Sequence, residues 1–302
     1  MLLFLAVLAA RVAPLPVSYQ PWQIFRVAAQ GLAKRVLHDS DTASYQRLAG
    51  LLSGVVLIAP TAVLYAVLRE LSDWPQLLDA VLLYFCLDSS GLPHQLRPVI
   101  TALDKGQLSL ARQLLAPLVL RDTQQLSAVG VVKAALDMLI LRFAAQWFAV
   151  LCCFWIFGGV TTLCLRLALV LHEQWNCKLP RYQWYGIWLR HVLVVVTTLP
   201  VLLFSAVLAL QVGWGASMRV YRQVTDGSWP LPQRWLLSVW AQTLQRQTGG
   251  PVMYQGRKFS RARIGPEQLP QPADLALGLK YIATQQTALY VLGFAVALLH
   301  FT

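Results

Sequence analysis

Val192 to Met218 reads VLVVVTTLPVLLFSAVLALQVGWGASM, with no charged residue in it. A helix needs about 20 apolar residues to cross the roughly 30 Å hydrocarbon core of a bilayer, so this stretch is long enough to span one. Backbone amides in lipid find no water, so the stretch predicts a helix and not a strand. Ala49 to Leu68, Phe143 to Leu165 and Tyr281 to Thr302 are uncharged and apolar in the same way. The predicted spans are therefore 49–68, 143–165, 192–218 and 281–301.

Composition supports this. Of 302 residues, 57% are hydrophobic and only 13% charged, against about 25% charged in an ordinary soluble domain. Mean hydropathy is +0.54. A water-soluble globule this apolar has too few polar groups to cover its surface. Disorder, collagen and coiled coil are excluded on the same grounds. The fold class expected is all-α: a polytopic transmembrane helical bundle with two long membrane-proximal loops, 69–142 and 219–280, in a single domain over 1–302. Residues 1–17 form a candidate extra span, interrupted by Arg11, Pro14 and Pro16. Leu77 to Leu87 is short and contains Asp79, which suits a re-entrant helix better than a crossing. If 77–87 does not cross, the two long loops share a face.

Lys and Arg number 25 against 13 Asp and Glu, a net charge of +12. In a membrane chain these cations flank spans and meet anionic headgroups. The partner expected is the lipid bilayer. Nucleic acid is not expected, because no basic helix stands apart from the membrane-proximal loops. Arg142 and Arg166 bracket the second span as snorkelling residues. Five cysteines, an odd count with no C-x-x-C pair, read as small apolar residues and not as a disulfide or zinc framework. The five histidines are scattered. No metalloprotease pair, Walker A loop or nucleophile elbow is present, and no metal site is read.

The loops carry local order. Ala111, Leu114, Leu115 and Leu118 recur at helical spacing. Ser127 predicts the cap of a second helix through Val131, Ala134, Ala135 and Met138. Ser228 to Trp240 predicts a turn and then an interfacial helix, with Trp229, Trp235 and Trp240 in a headgroup belt. Val252 to Ile264 reads as strand-like or irregular between Gly256 and Gly265.

Two segments carry candidate chemistry. Leu103-Asp104-Lys105-Gly106 is followed by Arg121-Asp122-Thr123. An Arg and an Asp beside a hydroxyl can orient a carboxylate or phosphate; they also serve as an ion pair and cap at a helix junction. The second segment is Gly249-Gly250-Pro251-Val252-Met253-Tyr254-Gln255-Gly256-Arg257-Lys258-Phe259-Ser260-Arg261-Ala262-Arg263. Its glycines let backbone amides approach an anion and four cations follow, which describes a phosphate cradle and a basic turn on lipid headgroups equally well.

These residues resemble the CobD/CbiB family of cobalamin biosynthesis. Leu103-Asp104-Lys105-Gly106-Gln107-Leu108, Ala111-Arg112 and Leu120 to Leu126 are similar to a G-D-L…A-R…V-G-R-D-T-S-x-L run. Gly249-Gly250-Pro251…Tyr254-Gln255-Gly256…Ile264-Gly265 is similar to L-G-G-P…Y-x-G…I-G. The resemblance covers roughly residues 20 to 300. It implies a multi-pass protein of the bacterial inner (cytoplasmic) membrane. It also implies an amide ligase joining aminopropanol or its phosphate to adenosylcobyric acid, a corrinoid, with ATP and Mg as cofactors. By the same resemblance Arg121, Asp122, Thr123 and Asp137 are catalytic candidates. Lys105, Gly249, Gly250, Pro251, Tyr254, Gly256 and Arg257 are substrate-binding candidates. The family's E-[ST]-x-A-E-N-[TS]-x-D-G block is reduced here: Asp137 keeps the first acid, Leu141-Arg142 replaces Glu-Asn and Ala145-Gln146 replaces Asp-Gly. Near Val170 to Lys178, Glu173 is the only acid. AmpE, a related membrane protein linked to β-lactamase regulation, shows the same reduction. The alternative is thus an AmpE-like signalling or scaffolding protein that catalyses nothing and needs no cofactor.

Overall fold

The computed structural model describes residues 6–10, 20–38, 40–87, 91–224 and 227–299. The chain is almost entirely helical and folds as two compact units. Three helices are long and apolar enough to cross a membrane, those over Ala43–Leu71, Ala128–Gln174 and Ile187–Val212. They carry three of the four expected spans. The fourth lies in the helix Pro272–Leu299, and residues 300–302 fall outside the described set. Most of the candidate span 1–17 falls outside it too.

The first unit comprises residues 1–90, 146–198 and 293–302. It contains α1 (Trp22–Val36), α2 (Ala43–Leu71) and α3 (Pro75–Cys86). At 12 residues α3 is about 18 Å long, short of a bilayer core. All three pack on the long helix Ala149–Gln174. Asp79 of α3 is 8% exposed. It accepts from Tyr65 Oη at 2.6 Å and from Arg69 Nε at 3.1 and 3.2 Å. The long helix makes room for that pair at Gly159, next to a kink at Gly158. Gly158 breaks it at φ 80°, and a Cβ on Gly159 would lie 2.5 Å from Asp79 Oδ1. Farther along, Glu173 accepts from Arg26 at 3.1 Å and from Gln146 at 2.7 Å.

The sequence expectation fails at Arg166. It is 2% exposed and does not snorkel; its guanidinium lies 5.7 Å from the Trp22 ring centre. An arginine next to an aromatic face keeps its charge company without reaching water. Cys86 is fully buried, which pushes its thiol up to about 12. It is therefore an apolar packing residue, as expected of the cysteines.

The second unit comprises residues 91–145 and 199–292. It contains α4 (Gly91–Asp104), α5 (Leu108–Leu115) and α6 (Ala128–Arg142). The long helix follows as α7 (Ala149–Gln174), after a π-turn at Phe143–Phe148. Then come α8 (Ile187–Val212), α9 (Trp214–Gln223), α10 (Leu231–Leu244) and α11 (Pro272–Leu299). Ser127 caps α6 as expected, its Oγ accepting from Gly130 N–H at 3.1 Å. Ala111, Leu115 and Leu118 are buried.

Between α10 and α11 lie four short strands: β1 (Thr248–Gly249), β2 (Val252–Tyr254), β3 (Arg257–Phe259) and β4 (Arg263–Ile264). β1 pairs with β4 and β2 with β3, both antiparallel. The tryptophans expected in a headgroup belt are instead core. Trp229, Trp235 and Trp240 are 5%, 7% and 0% exposed. Trp235 packs against Trp214 and Tyr221, and Trp240 against Tyr281. A large apolar ring gains more from closing a protein core than from lying in headgroups.

Candidate functional site

The two motif-bearing segments meet in the second unit. Asp137, on α6, is 1% exposed. An isolated carboxylate there would cost several kcal/mol in lost hydration. Two groups offset that cost. Arg121 lies 3.4 Å from Asp137 Oδ2, and Gly249 N–H donates to Oδ1 at 3.2 Å. Arg121, Asp137 and Gly249, 112 residues apart at the extremes of that last bond, thus share one charge centre.

Asp122 is held just as closely. Gln255 and Gly256 form the two-residue turn between β2 and β3, with φ of 46° and 76°. Positive φ at both positions is the hairpin-forming turn that favours glycine at the second. Both turn amides aim at one carboxylate: Gln255 N–H donates to Asp122 Oδ1 at 3.2 Å and Gly256 N–H to Oδ2 at 2.8 Å. Asp122 N–H donates to Met253 O at 2.8 Å. The loop on either side of it is fastened by two arginines, Arg142 donating to Leu118 O at 2.9 Å and Arg112 to Leu126 O at 2.7 Å. Arg142, read as snorkelling, is a loop fastener instead, because a carbonyl within reach satisfies it without lipid. Thr123 is buried and its carbonyl accepts from Leu126 N–H.

The expected amide cradle is therefore already filled from within. Gly249 N–H serves Asp137, Gly250 N–H donates to Ala262 O at 3.0 Å, and the Gln255 and Gly256 amides serve Asp122. What stays available to an external anion is the set of side-chain cations. Arg257 is exposed on β3 opposite Tyr254. Tyr254 is buried, with the Arg261 guanidinium 5.7 Å from its ring centre and 4.6 Å from that of Trp229. Pro251 is exposed between β1 and β2. Lys105 lines a separate open groove of 430 Å³ with His94, Arg97, Thr101 and Gln107. No hydrogen bond or ion pair among the described residues joins Lys105 to Asp137. Sequence reading did not single out Lys133, which stands one helical turn from Asp137 on α6; the i, i+4 spacing is the signal that marks it.

Replacing Asp122 with alanine is expected to cost about 1 kcal/mol, since the freed turn amides face water. The hairpin should nonetheless loosen, read as faster proteolysis between Gln255 and Arg257 at an almost unchanged melting temperature. Cleavage at the wild-type rate would show that the carboxylate does not hold the turn.

Residues 3–282 match the family described as CobD/Cbib protein. The chain belongs to the CobD/CbiB family. It is 26% identical over 255 residues to the cobalamin biosynthesis protein CobD of Chromobacterium violaceum, covering 84% of this chain and 81% of that one. It is 26% identical over 234 residues to the protein of the same name from Stutzerimonas stutzeri, covering 77% of each. The Mycobacterium tuberculosis protein of that name is 25% identical over 272 residues, covering 86% of this chain and 83% of that one. No solved structure matches. Both CobD/CbiB-like segments, Arg121 to Thr123 and Gly249 to Gly256, fall inside the matched range and are the segments joined through Asp122 and Asp137.

Proposed function

We propose that this CobD/CbiB-family protein acts in cobalamin biosynthesis as a multi-pass protein of the bacterial inner membrane. It forms the amide between the carboxylate of adenosylcobyric acid and the amine of aminopropanol or its phosphate. The observation that carries this reading is the convergence of Arg121 and Gly249 on Asp137, which gathers both family segments into one charged centre.

Amide formation from a carboxylate and an amine needs the carboxylate oxygen turned into a leaving group. ATP held by Arg121 and its neighbouring cations would supply that leaving group, giving up a phosphoryl group to the carboxylate and leaving as ADP; amide formation would then release phosphate and the amine's proton. The charge that develops is anionic, and a preorganised guanidinium stabilises it. Arg121 is 14% exposed at its side chain, so it is held in place yet reachable. The site's cations fit ATP. Its carboxylates do not fit a resident magnesium ion, because all four oxygens of Asp122 and Asp137 accept from Arg121 or backbone amides.

The test is complementation of a strain lacking its own cobinamide-phosphate synthase and fed cobyric acid. Wild-type protein should restore growth. Arg121→Ala should lower product formation by about 100-fold or more, and Arg121→Lys should restore part of it, at equal membrane levels. Wild-type protein that reaches the membrane yet restores no growth would remove the ligase reading and leave the AmpE-like, non-catalytic one. Growth unaffected by Arg121→Ala would remove Arg121 from the chemistry.

A further inference from the structure

Lys133 and Asp137 share one face of α6. Gly249 and Arg263 are cross-strand partners in the β1–β4 ladder, so Arg263 stands opposite the residue whose amide holds Asp137. Its side chain runs beside the next glycine: a Cβ on Gly250 would lie 3.5 Å from Arg263 Cγ. The Lys133 ammonium is half-buried and donates to Gln247 Oε1 at 2.7 Å.

Three cations thus gather around Asp137, and with Asp122 beside Arg121 counted in, one positive charge is left over. Repulsion between like charges grows as water is excluded, and the half-buried ammonium adds its own desolvation. The two carboxylates leave that charge unrelieved, and their oxygens are already engaged. A bound anion relieves the rest.

We propose that Arg121, Lys133 and Arg263 form a binding site for a phosphate dianion, either a phosphate monoester or the terminal group of a polyphosphate. A phosphate carries about −1.5 to −2 near neutral pH, a charge that such a cation cluster favours. Two guanidinium forks and one ammonium point charge are the donor types that phosphate oxygens accept from. Side chains serve because the neighbouring glycine amides are committed inside the protein. The amide-ligase reading is needed only to say which molecule carries the phosphate; the site itself stands on the cation cluster.

The experiment uses the full-length protein in phosphatidylcholine nanodiscs, without corrinoid. Pyrophosphate and inorganic phosphate are titrated at fixed ionic strength against chloride, by calorimetry and thermal unfolding. Wild type should bind pyrophosphate at one site and melt higher with it. Lys133→Gln and Arg263→Gln should each weaken binding about tenfold or more, Arg263→Lys less, and Lys258→Gln not at all. Repeating the titration in discs containing phosphatidylglycerol separates the sources of phosphate. Competition identifies a lipid headgroup, and unchanged affinity identifies a soluble phosphate. The proposal falls if pyrophosphate acts no differently from chloride. It also falls if folded Arg263→Gln binds as wild type does; Arg263 is exposed, so that variant reports even where Lys133→Gln fails to fold. Phosphate binding with failed complementation would remove the ligase reading alone. Complementation without phosphate binding would remove this site alone.

Discussion

Asp137→Ala is expected to be among the most damaging single changes in the second unit, costing about 3–5 kcal/mol. Removing the carboxylate leaves the Arg121 guanidinium and the Gly249 amide without their shared acceptor in a place water scarcely reaches. It also turns a net charge of +2 among Arg121, Lys133, Arg263 and Asp137 into +3, adding repulsion to lost hydrogen bonds. Asp137→Asn keeps an acceptor for Gly249 and should cost less. Removing Arg121 as well should recover part of the loss, with a coupling of about 1–3 kcal/mol between the two positions. Thermal unfolding in nanodiscs measures these three variants and Arg121→Ala alone, which closes the cycle. If Asp137→Ala melts with wild type, the buried pair contributes nothing and the view of this carboxylate as the centre of the site is wrong.

The second large effect belongs to the first unit. A Cβ on Gly186 would stand 1.8 Å from Trp175 O, and one on Gly50 would stand 2.0 Å from Tyr185 O. Both obstacles are backbone carbonyls, which cannot swing aside as a side chain can. Gly186→Ala and Gly50→Ala should each cost about 3 kcal/mol or more, at the upper end of overpacking effects. Gly31, within α1, offers the contrast. Nothing lies within 4 Å of a Cβ there, so Gly31→Ala should be neutral or stabilising by about 0.5–1 kcal/mol through helix propensity. Melting temperatures that fail to separate Gly31→Ala from the other two would refute the close approach.

Much of this fold is written locally. Spans are legible because lipid forces long uncharged runs, and three such runs form long apolar helices. The Ser127 cap is legible because its chemistry lies within three residues. The site was only half legible. Arg121, Asp122, Gly249 and Gly256 stand out as motif residues, yet which donor meets which acceptor depends on partners more than a hundred positions away. An amide free to hold a phosphate and one holding Asp122 look the same in a sequence. Trp229, Trp235 and Trp240 misled for a related reason. A tryptophan at a membrane surface and one sealing a core follow the same helical spacing, and only the surrounding rings decide. Arg166 reads as a snorkelling residue because its companion, Trp22, belongs to a different helix and cannot be seen from its neighbours in sequence.

The distance along the chain between Asp122 and its turn amides sets an order of assembly. Those partners are separated by 133 residues, and a ribosome delivering about 5–20 residues per second needs roughly ten seconds to bridge the gap. During that interval α7 and α8 are made while Arg121 and Asp122 wait without the hairpin. The closing β-turn thus arrives well after the segment it holds, and it works as a latch on a part made earlier. Truncated nascent chains ending before Gly249 should leave the Arg121 segment open to protease, and chains extended past Gly265 should protect it.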